Sequence, residues 1–439
     1  MKRISLILVL FFVCVGLTAQ TRTHVYNEQI RTLRVERRWL VLEDGVVDGT
    51  DPENTLHVSF DEMSHSTHMY TYGVQAVEVR GDRLEVNAGM LSSEYLKGFT
   101  TKDITDYEHS MNTSREYTHY WFDFPNEDMQ LTKSGAYLLT IYEDGNPDNK
   151  VAEVIFYVVE PMVKIDARVR ANTDIEFNGR YQQLDIDVDL TVMGYGLQVM
   201  GSGSQVMGKP EEYRIVVTQN NRMDNAVYLS QPTFIEPNRL RYINNKALIF
   251  EGGNEYHHFD AFSCFYAGHG IDRVFHENGD YHVLLFPNEV TEGQYIHEFD
   301  SNGRFVVNAE RTDDPDTEAE YMWVHWTLPV DKPWLDGSLY VGGELFNNEM
   351  GMRNRMQYDA EAKCYWLTAL VKQGGYDYQY VFVPKTSITN NQSPITNNKT
   401  TTQRVDGSYW QTENEYTIYV WWRPFGSRSE RLVGVSMIK

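Results

Sequence analysis

Cysteine is scarce: the 439-residue chain has three, and Cys14 lies in an apolar run at the amino end. The other two, Cys264 and Cys364, are read as belonging to different domains. A disulfide needs Cα atoms within about 7 Å, so two free thiols are expected and disulfides do not hold the fold. Positive charge is also short, with 39 Lys+Arg against 62 Asp+Glu and a net charge of -23. That balance repels phosphate backbones and anionic headgroups, which disfavours nucleic-acid binding and electrostatic adsorption to membranes. Beyond Ile4–Val15 no run approaches the roughly 20 apolar residues of a membrane-spanning helix. Long Ala/Leu/Glu/Lys stretches are missing, so helices are expected only as short connectors.

Catalytic signatures are absent as well. There is no Gly-x-Ser-x-Gly elbow, and neither Cys264 nor Cys364 has a local nucleophile motif. Gly201-Ser202-Gly203 lacks the Lys-Ser/Thr of a phosphate loop. His65 and His68 have a chelating spacing only on a helix or tight turn, and read as a polar loop. His257 and His258, adjacent on a strand, point to opposite faces. Asp185, Asp187 and Asp189 alternate along a strand, where the outer pair is about 13 Å apart, too far for one ion. Asp144, Asn146 and Asp148 begin a calcium-loop pattern, but Asn149 replaces its glycine and Ile155 its glutamate, so a hairpin turn is expected. The chain is read as a non-enzyme, with no cofactor, metal site or small-molecule substrate.

What is present favours strands: 29 Tyr, 20 Phe and 9 Trp. At about 100 to 200 residues per domain, the length corresponds to roughly three domains. Met1-Lys2-Arg3, the apolar run and the small residues near Ala19 predict a signal peptide over residues 1–19 and hence export. Its removal takes away Lys2 and Arg3, leaving a net charge of -25. Leu184-Asp185-Ile186-Asp187-Val188-Asp189-Leu190 alternates as a half-buried strand does, and so do the runs through Tyr376, Tyr378, Tyr380, Phe382 and through Tyr416, Ile418, Val420, Trp422. Asp144-Gly145-Asn146-Pro147, Asn278-Gly279 and Ser301-Asn302-Gly303 supply turns. The expected class is all-β, with immunoglobulin-like β-sandwiches in tandem.

Boundaries follow from breaks in this pattern. Glu160-Pro161 interrupts the run Phe156–Val159, because proline lacks an N–H to donate. Residues 309–320 carry six acidic side chains and no large apolar one, which predicts a solvated linker. The expected units are 20–160, 161–308 and 321–439. The last is rich in tryptophan: Trp323, Trp326, Trp334, Trp366, Trp410, Trp421 and Trp422, expected mainly in its core. Val-Met-Gly recurs every seven residues at Val192-Met193-Gly194, Val199-Met200-Gly201 and Val206-Met207-Gly208. Methionine is flexible and polarisable, so Met193, Met200 and Met207 are candidate partner contacts on a deformable loop. A second repeat, Ile388-Thr389-Asn390-Asn391 and Ile395-Thr396-Asn397-Asn398, reads as an exposed loop.

Two resemblances extend this reading. Tyr340-Val341-Gly342-Gly343-Glu344-Leu345-Phe346-Asn347 with Gly375-Tyr376-Asp377-Tyr378-Gln379-Tyr380-Val381 resembles the glycogen-binding-type, E-set-like sandwich, although Asn348 and Glu349 stand where those modules carry a Trp. A glycan-binding envelope protein is therefore the alternative function. The second covers about residues 26–434. Glu94–Phe99, Ile104–Tyr107, Asn112-Thr113, Tyr117–Tyr120, Phe124–Met129, Ser134–Leu139, Tyr142–Gly145 and Val158–Pro161, then Val217–Ala226, Phe250–Glu255 and Glu413–Thr417 to Arg423-Pro424, resemble the type IX secretion system plug protein of Bacteroidota. Tyr72–Ala88 and the Val-Met-Gly loop depart from that pattern. The resemblance implies a periplasmic protein that binds the large outer-membrane translocon barrel, closes its periplasmic opening at rest, and meets the membrane only through the barrel.

Overall fold

The computed structural model describes residues 21–439 except 48, 82, 192–207, 292 and 386–399. The signal-peptide region, Cys14, the Gly201–Gly203 motif and the Ile-Thr-Asn-Asn repeat lie outside the described residues.

The fold is all-β, built of tandem sandwiches. In the first, a seven-stranded sheet is centred on the antiparallel strands Tyr70–Arg80, Gly135–Glu143 and Lys150–Val159. It faces a four-stranded sheet of Ile30–Val35, Leu56–Glu62, Thr118–Phe124 and Asp106–His109. Alternation directs Tyr137, Leu139 and Ile141 from one sheet and Val58, Phe60, Tyr120 and Phe122 from the other into the shared core. The strand Trp39–Val41 joins Lys150–Val159 in parallel. At Gly98, φ is +102°, and a Cβ would lie 1.9 Å from the Asp128 carbonyl oxygen, so only glycine permits the pairing of Leu96–Gly98 with Met129–Leu131.

The second sandwich packs the sheet of Lys164–Arg170, Tyr181–Asp189, Arg239–Tyr242 and Phe234–Glu236 on Arg222–Leu229, Tyr213–Gln219, Tyr416–Trp422 and Arg431–Ile438. The third packs His257–Ala261, Gly374–Pro384, Phe305–Val307 and Gly337–Gly342 on a five-stranded sheet. That sheet runs Ile271–Glu277, Asp280–Leu285, Tyr321–Pro329, Cys364–Lys372, Gln357–Asp359. Its first hairpin turns at Asn278 and Gly279, with φ of 54° and 93°, as the dipeptide requires.

The strand pairing departs from the expected boundaries. The chain completes one sheet of the second sandwich, builds the whole third sandwich, and returns: Tyr416–Trp422 pairs residue for residue with Tyr213–Gln219. Trp421 and Trp422 thus belong to the second sandwich, while His257–Ala261 and Phe305–Val307 belong to the third. Composition marked where tryptophans concentrate, but long-range pairing is set by cross-strand partners that a local reading does not see. Cys264 and Cys364 accordingly pack in the same sandwich, both as free thiols.

The acidic stretch 309–320 is not a solvated linker. Asp314 caps the short helix Pro315–Glu318 by accepting from the Asp316 N–H, and Thr317, Ala319 and Glu320 are buried. Its carboxylates find partners in the first sandwich: Arg34 reaches Asp316 at 2.5 Å, and the Ser114 N–H donates to Glu320 at 2.5 Å. An acidic count predicts solvation only where no donors are brought in from elsewhere.

Candidate functional site

The three sandwiches meet in buried apolar and charged contacts. The first seam is apolar. Val77, Val79, Ala136, Leu138, Tyr157 and Val159 stand on the outer face of the seven-stranded sheet and meet Val216, Tyr419, Trp421 and Leu432 of the second sandwich. Strands that bury one face in a sandwich core therefore bury the other in this seam. Tyr157 lies 4.6 Å from Tyr419 and 6.2 Å from Trp421 between ring centroids, and burial raises the Tyr157 phenol well above its ordinary pKa.

The second seam, between first and third sandwiches, is ionic. Asp61 is the penultimate residue of the strand Leu56–Glu62, and Lys372 ends Cys364–Lys372; both side chains are 1% exposed. Lys372 Nζ donates to Asp61 Oδ2 at 2.7 Å and to the Asp316 carbonyl at 2.6 Å, and lies 4.2 Å from the Tyr117 ring centroid. The same carboxylate meets His119 Nδ1 at 2.6 Å and accepts from the Tyr321 hydroxyl at 2.6 Å. Burial alone would raise the Asp61 pKa, but the Lys372 charge and His119 outweigh it and hold it at about 2. A buried pair of this kind stabilises little over a hydrophobic substitute, but it is costly to break from one side only.

A third junction joins all three units. Glu415, just before Tyr416–Trp422, accepts two hydrogen bonds from Arg304 at 2.7 and 2.8 Å and also contacts Arg38. Burial opposes its ionisation, yet the two guanidinium groups keep it below the usual carboxylate range. Nearby, a Cβ on Gly252 would lie 2.0 Å from the Tyr409 carbonyl oxygen, so the signature Phe250–Glu255 holds a close backbone approach.

The residues singled out from sequence are dispersed. His65 faces Glu116 at 3.3 Å, whereas His68 meets Glu143 at 3.1 Å. His257 meets Asp406, while His258 bridges Asp377 and Asp260, so the neighbours do point apart. Asp185 pairs with Arg168 and Arg170, and Asp187 with Arg241. Asp144 and Asn146 lie in the turn between Gly135–Glu143 and Lys150–Val159. Among the described residues, no group of three His, Cys, Asp or Glu side chains is placed to hold a metal ion. A polar cleft lined by Gln219, Arg222, Glu251 and Gln379 has a volume of about 20 Å³, room for about one water.

Met193, Met200 and Met207 lie outside the described residues. The flanks of their loop are described: the Leu190 N–H donates to Asn238, and Gly208 sits against Trp422. Of the signature aromatics in the first sandwich, Phe124 and Tyr137 are core, whereas Phe99 is 65% and Tyr107 43% exposed. These two stand on a largely exposed segment, residues 97–109, that includes the edge strand Asp106–His109. Sequence reasoning missed Asp61, Lys372 and Glu415. The detectable signal was a charge at the inner end of a buried strand pattern, as in Cys364–Lys372.

Comparison with known proteins follows this architecture. A family model described as "Type 9 secretion system plug protein 1st domain" matches residues 30–160, which lie within the first sandwich and end where its last strand does. No curated protein matches the chain. Among solved structures, the crystal structure of a hypothetical protein from Parabacteroides merdae ATCC 43184 is similar at 34% identity with a TM-score of 0.84. The similarity covers 96% of this chain and 99% of that one, so the three-sandwich arrangement is shared as a whole. The chain belongs to the type IX secretion system plug protein family.

Proposed function

We propose that the protein is a periplasmic subunit, exported by its N-terminal signal peptide, that docks on the outer-membrane translocon barrel of the type IX system and blocks its periplasmic opening at rest. The observation that supports this most is the interlocking of the three sandwiches by one apolar seam and two buried charge clusters. A blocker seated on a wide opening has to resist deformation, and a body tied at three interfaces moves as one piece. Blocking is steric. It requires no bond-making step, and it suits a large, persistent interface, commonly about 2,000 Å² or more.

Met193, Met200 and Met207 form a deformable contact with the barrel, and the exposed Phe99 and Tyr107 add an aromatic edge. If the barrel rim is basic, the net charge of -25 after signal-peptide removal makes docking faster at low salt. The test is recovery of the barrel with the tagged full-length protein from mildly solubilised membranes. Stoichiometric recovery supports the reading; repeated absence, together with saturable glycan binding, replaces it with the glycan-binding alternative. Shortening the Val192 to Gly208 loop to a tight turn should preserve folding and lower barrel recovery, and unchanged recovery would reject the contact role of the methionines.

A further inference from the structure

The outward face of the third sandwich's five-stranded sheet is covered at one end, where Tyr321 and Lys372 are buried against the first sandwich and Arg115 lies over the Trp323 ring, and among the described residues it has no covering layer beyond that row. In this sheet, Val283, Val324, Trp326, Leu367 and Ala369 point into the core, and the alternate residues point outward. Cross-strand register arranges those outward residues in rows. Phe275 stands opposite His282, His282 beside Trp323, and Trp323 opposite Leu370. Next come Arg273, Leu284, His325 and Thr368, followed by Thr327, Trp366 and Gln357.

The chemistry of this face differs from the rest of the molecule. In a chain with 62 Asp+Glu, its central rows hold no carboxylate, and their charges are Arg273 and the Arg115 guanidinium, which lies 5.3 Å over the Trp323 ring and is paired with Asp280. The acids of the same sheet stand at the margins: Asp272 at the register shift of the edge strand, Glu277 beside the turn, Asp280 held by Arg115 and the Trp323 indole, and Asp359 accepting from the Glu361 and Ala362 amides. Phe275, His282 and His325 form a stacked series with centroids 4.9 and 5.3 Å apart. His282 Nδ1 meets His325 Nε2 at 3.0 Å, and His325 Nδ1 meets Thr368 at 2.8 Å. Burial and the neighbouring His282 lower the His325 pKa, which keeps that ring neutral. Trp366, expected in the core, instead lies 39% exposed between Thr327 and Gln357.

We infer that this sheet face binds a neutral linear glycan, with Trp366 as the stacking platform and Gln357, Thr327, Thr368 and the histidine pair as its hydrogen-bonding flank. Apolar ring faces beside neutral donors and acceptors match a pyranose, which has a C–H face and a rim of hydroxyls. Size decides against a protein occupant. Four strand spacings of about 4.8 Å and three outward rows at about 6.8 Å give a patch of roughly 19 by 14 Å. That area is well below the roughly 800 Å² per partner of a standard protein interface, but it holds a few sugar rings laid end to end. Arg115 is neutralised by Asp280, and Arg273 alone supplies too little charge for a polyanion.

The test uses the full-length protein with maltohexaose, cellohexaose and chitohexaose, each titrated by calorimetry and by quenching of tryptophan fluorescence. Binding of at least one hexaose at sub-millimolar Kd is expected. Trp366→Ala should weaken it at least tenfold with the melting temperature unchanged, and Gln357→Ala several-fold. Trp410→Ala, away from this face, should leave it intact. Failure of all three probes to bind overturns the inference, as does binding that neither Trp366→Ala nor Gln357→Ala alters. Loss of barrel recovery in Trp366→Ala without glycan binding would also overturn it, by assigning the face to protein docking. Barrel recovery by the wild type is read separately, so the proposed plug function stands or falls independently.

Discussion

Asp61 and Lys372 are 311 residues apart in the chain and 2.7 Å apart in space, each near the end of a strand of a different sandwich. The pair locks the first sandwich to the third, with the phenols of Tyr117 and Tyr321 around it.

Removing one partner leaves the other charge buried without compensation. Lys372→Met should therefore destabilise the protein by about 3 to 5 kcal/mol. The Asp61→Asn, Lys372→Met double variant should recover much of that loss, because no net charge is left stranded. Chemical denaturation of the full chain checks both. Equal losses in the single and double variants would show that the pair is not coupled.

The same pair sets an acid limit. The folded pKa of Asp61 is held at about 2, below its ordinary value of 3.8, so its contribution to stability is complete above about pH 4 and lost as pH falls toward 2. Melting temperatures between pH 5 and pH 2 should fall more steeply in the wild type than in the double variant. His258 runs the other way: the hydrogen bonds it donates to Asp377 and Asp260, against the opposing effect of burial, raise its pKa to about 9. Its contribution is complete below about pH 6.5 and disappears as pH rises through 9. In His258→Gln the difference from wild type should shrink over that alkaline range.

Trp421 fills the apolar seam on the face of its strand opposite the sandwich core. Trp421→Ala should cost about 3 to 5 kcal/mol, as expected for a deleted buried aromatic. Because the seam joins two sandwiches, limited proteolysis should also cut between them sooner, near Glu160-Pro161. A variant with wild-type melting and wild-type proteolysis would contradict the packing role of this seam.

Two signature glycines can be tested at the backbone. Gly98→Ala places a methyl group 1.9 Å from the Asp128 carbonyl oxygen, and Gly252→Ala places one 2.0 Å from that of Tyr409. Both should lower the melting temperature, whereas Gly45→Ala, with open space around its Cβ and only its φ of 79° to resist, should lower it less.

Local patterns carried much of the fold. Leu184, Ile186 and Val188 are core, as their alternation requires, and Asn278-Gly279 makes its hairpin. Charge was harder to read. Asp185 and Asp187 lean on Arg168, Arg170 and Arg241 from paired strands, and the acids of 309–320 are taken up by residues of the first sandwich. The return of Tyr416–Trp422 to the second sandwich was hidden for the same reason: an alternating strand states which face is buried, but not against which strand. Tyr419 and Trp421 even occupy the face that alternation would assign to solvent. Trp366 is the converse case, an aromatic in a core-like composition whose outward position is set by strand parity alone.

The central claim is steric closure of the translocon, and outer-membrane permeability tests it most directly. In a strain lacking this protein but retaining the barrel, a large, normally excluded antibiotic should enter, and removal of the barrel as well should restore exclusion. Normal exclusion in the strain that retains an unblocked barrel would contradict the account.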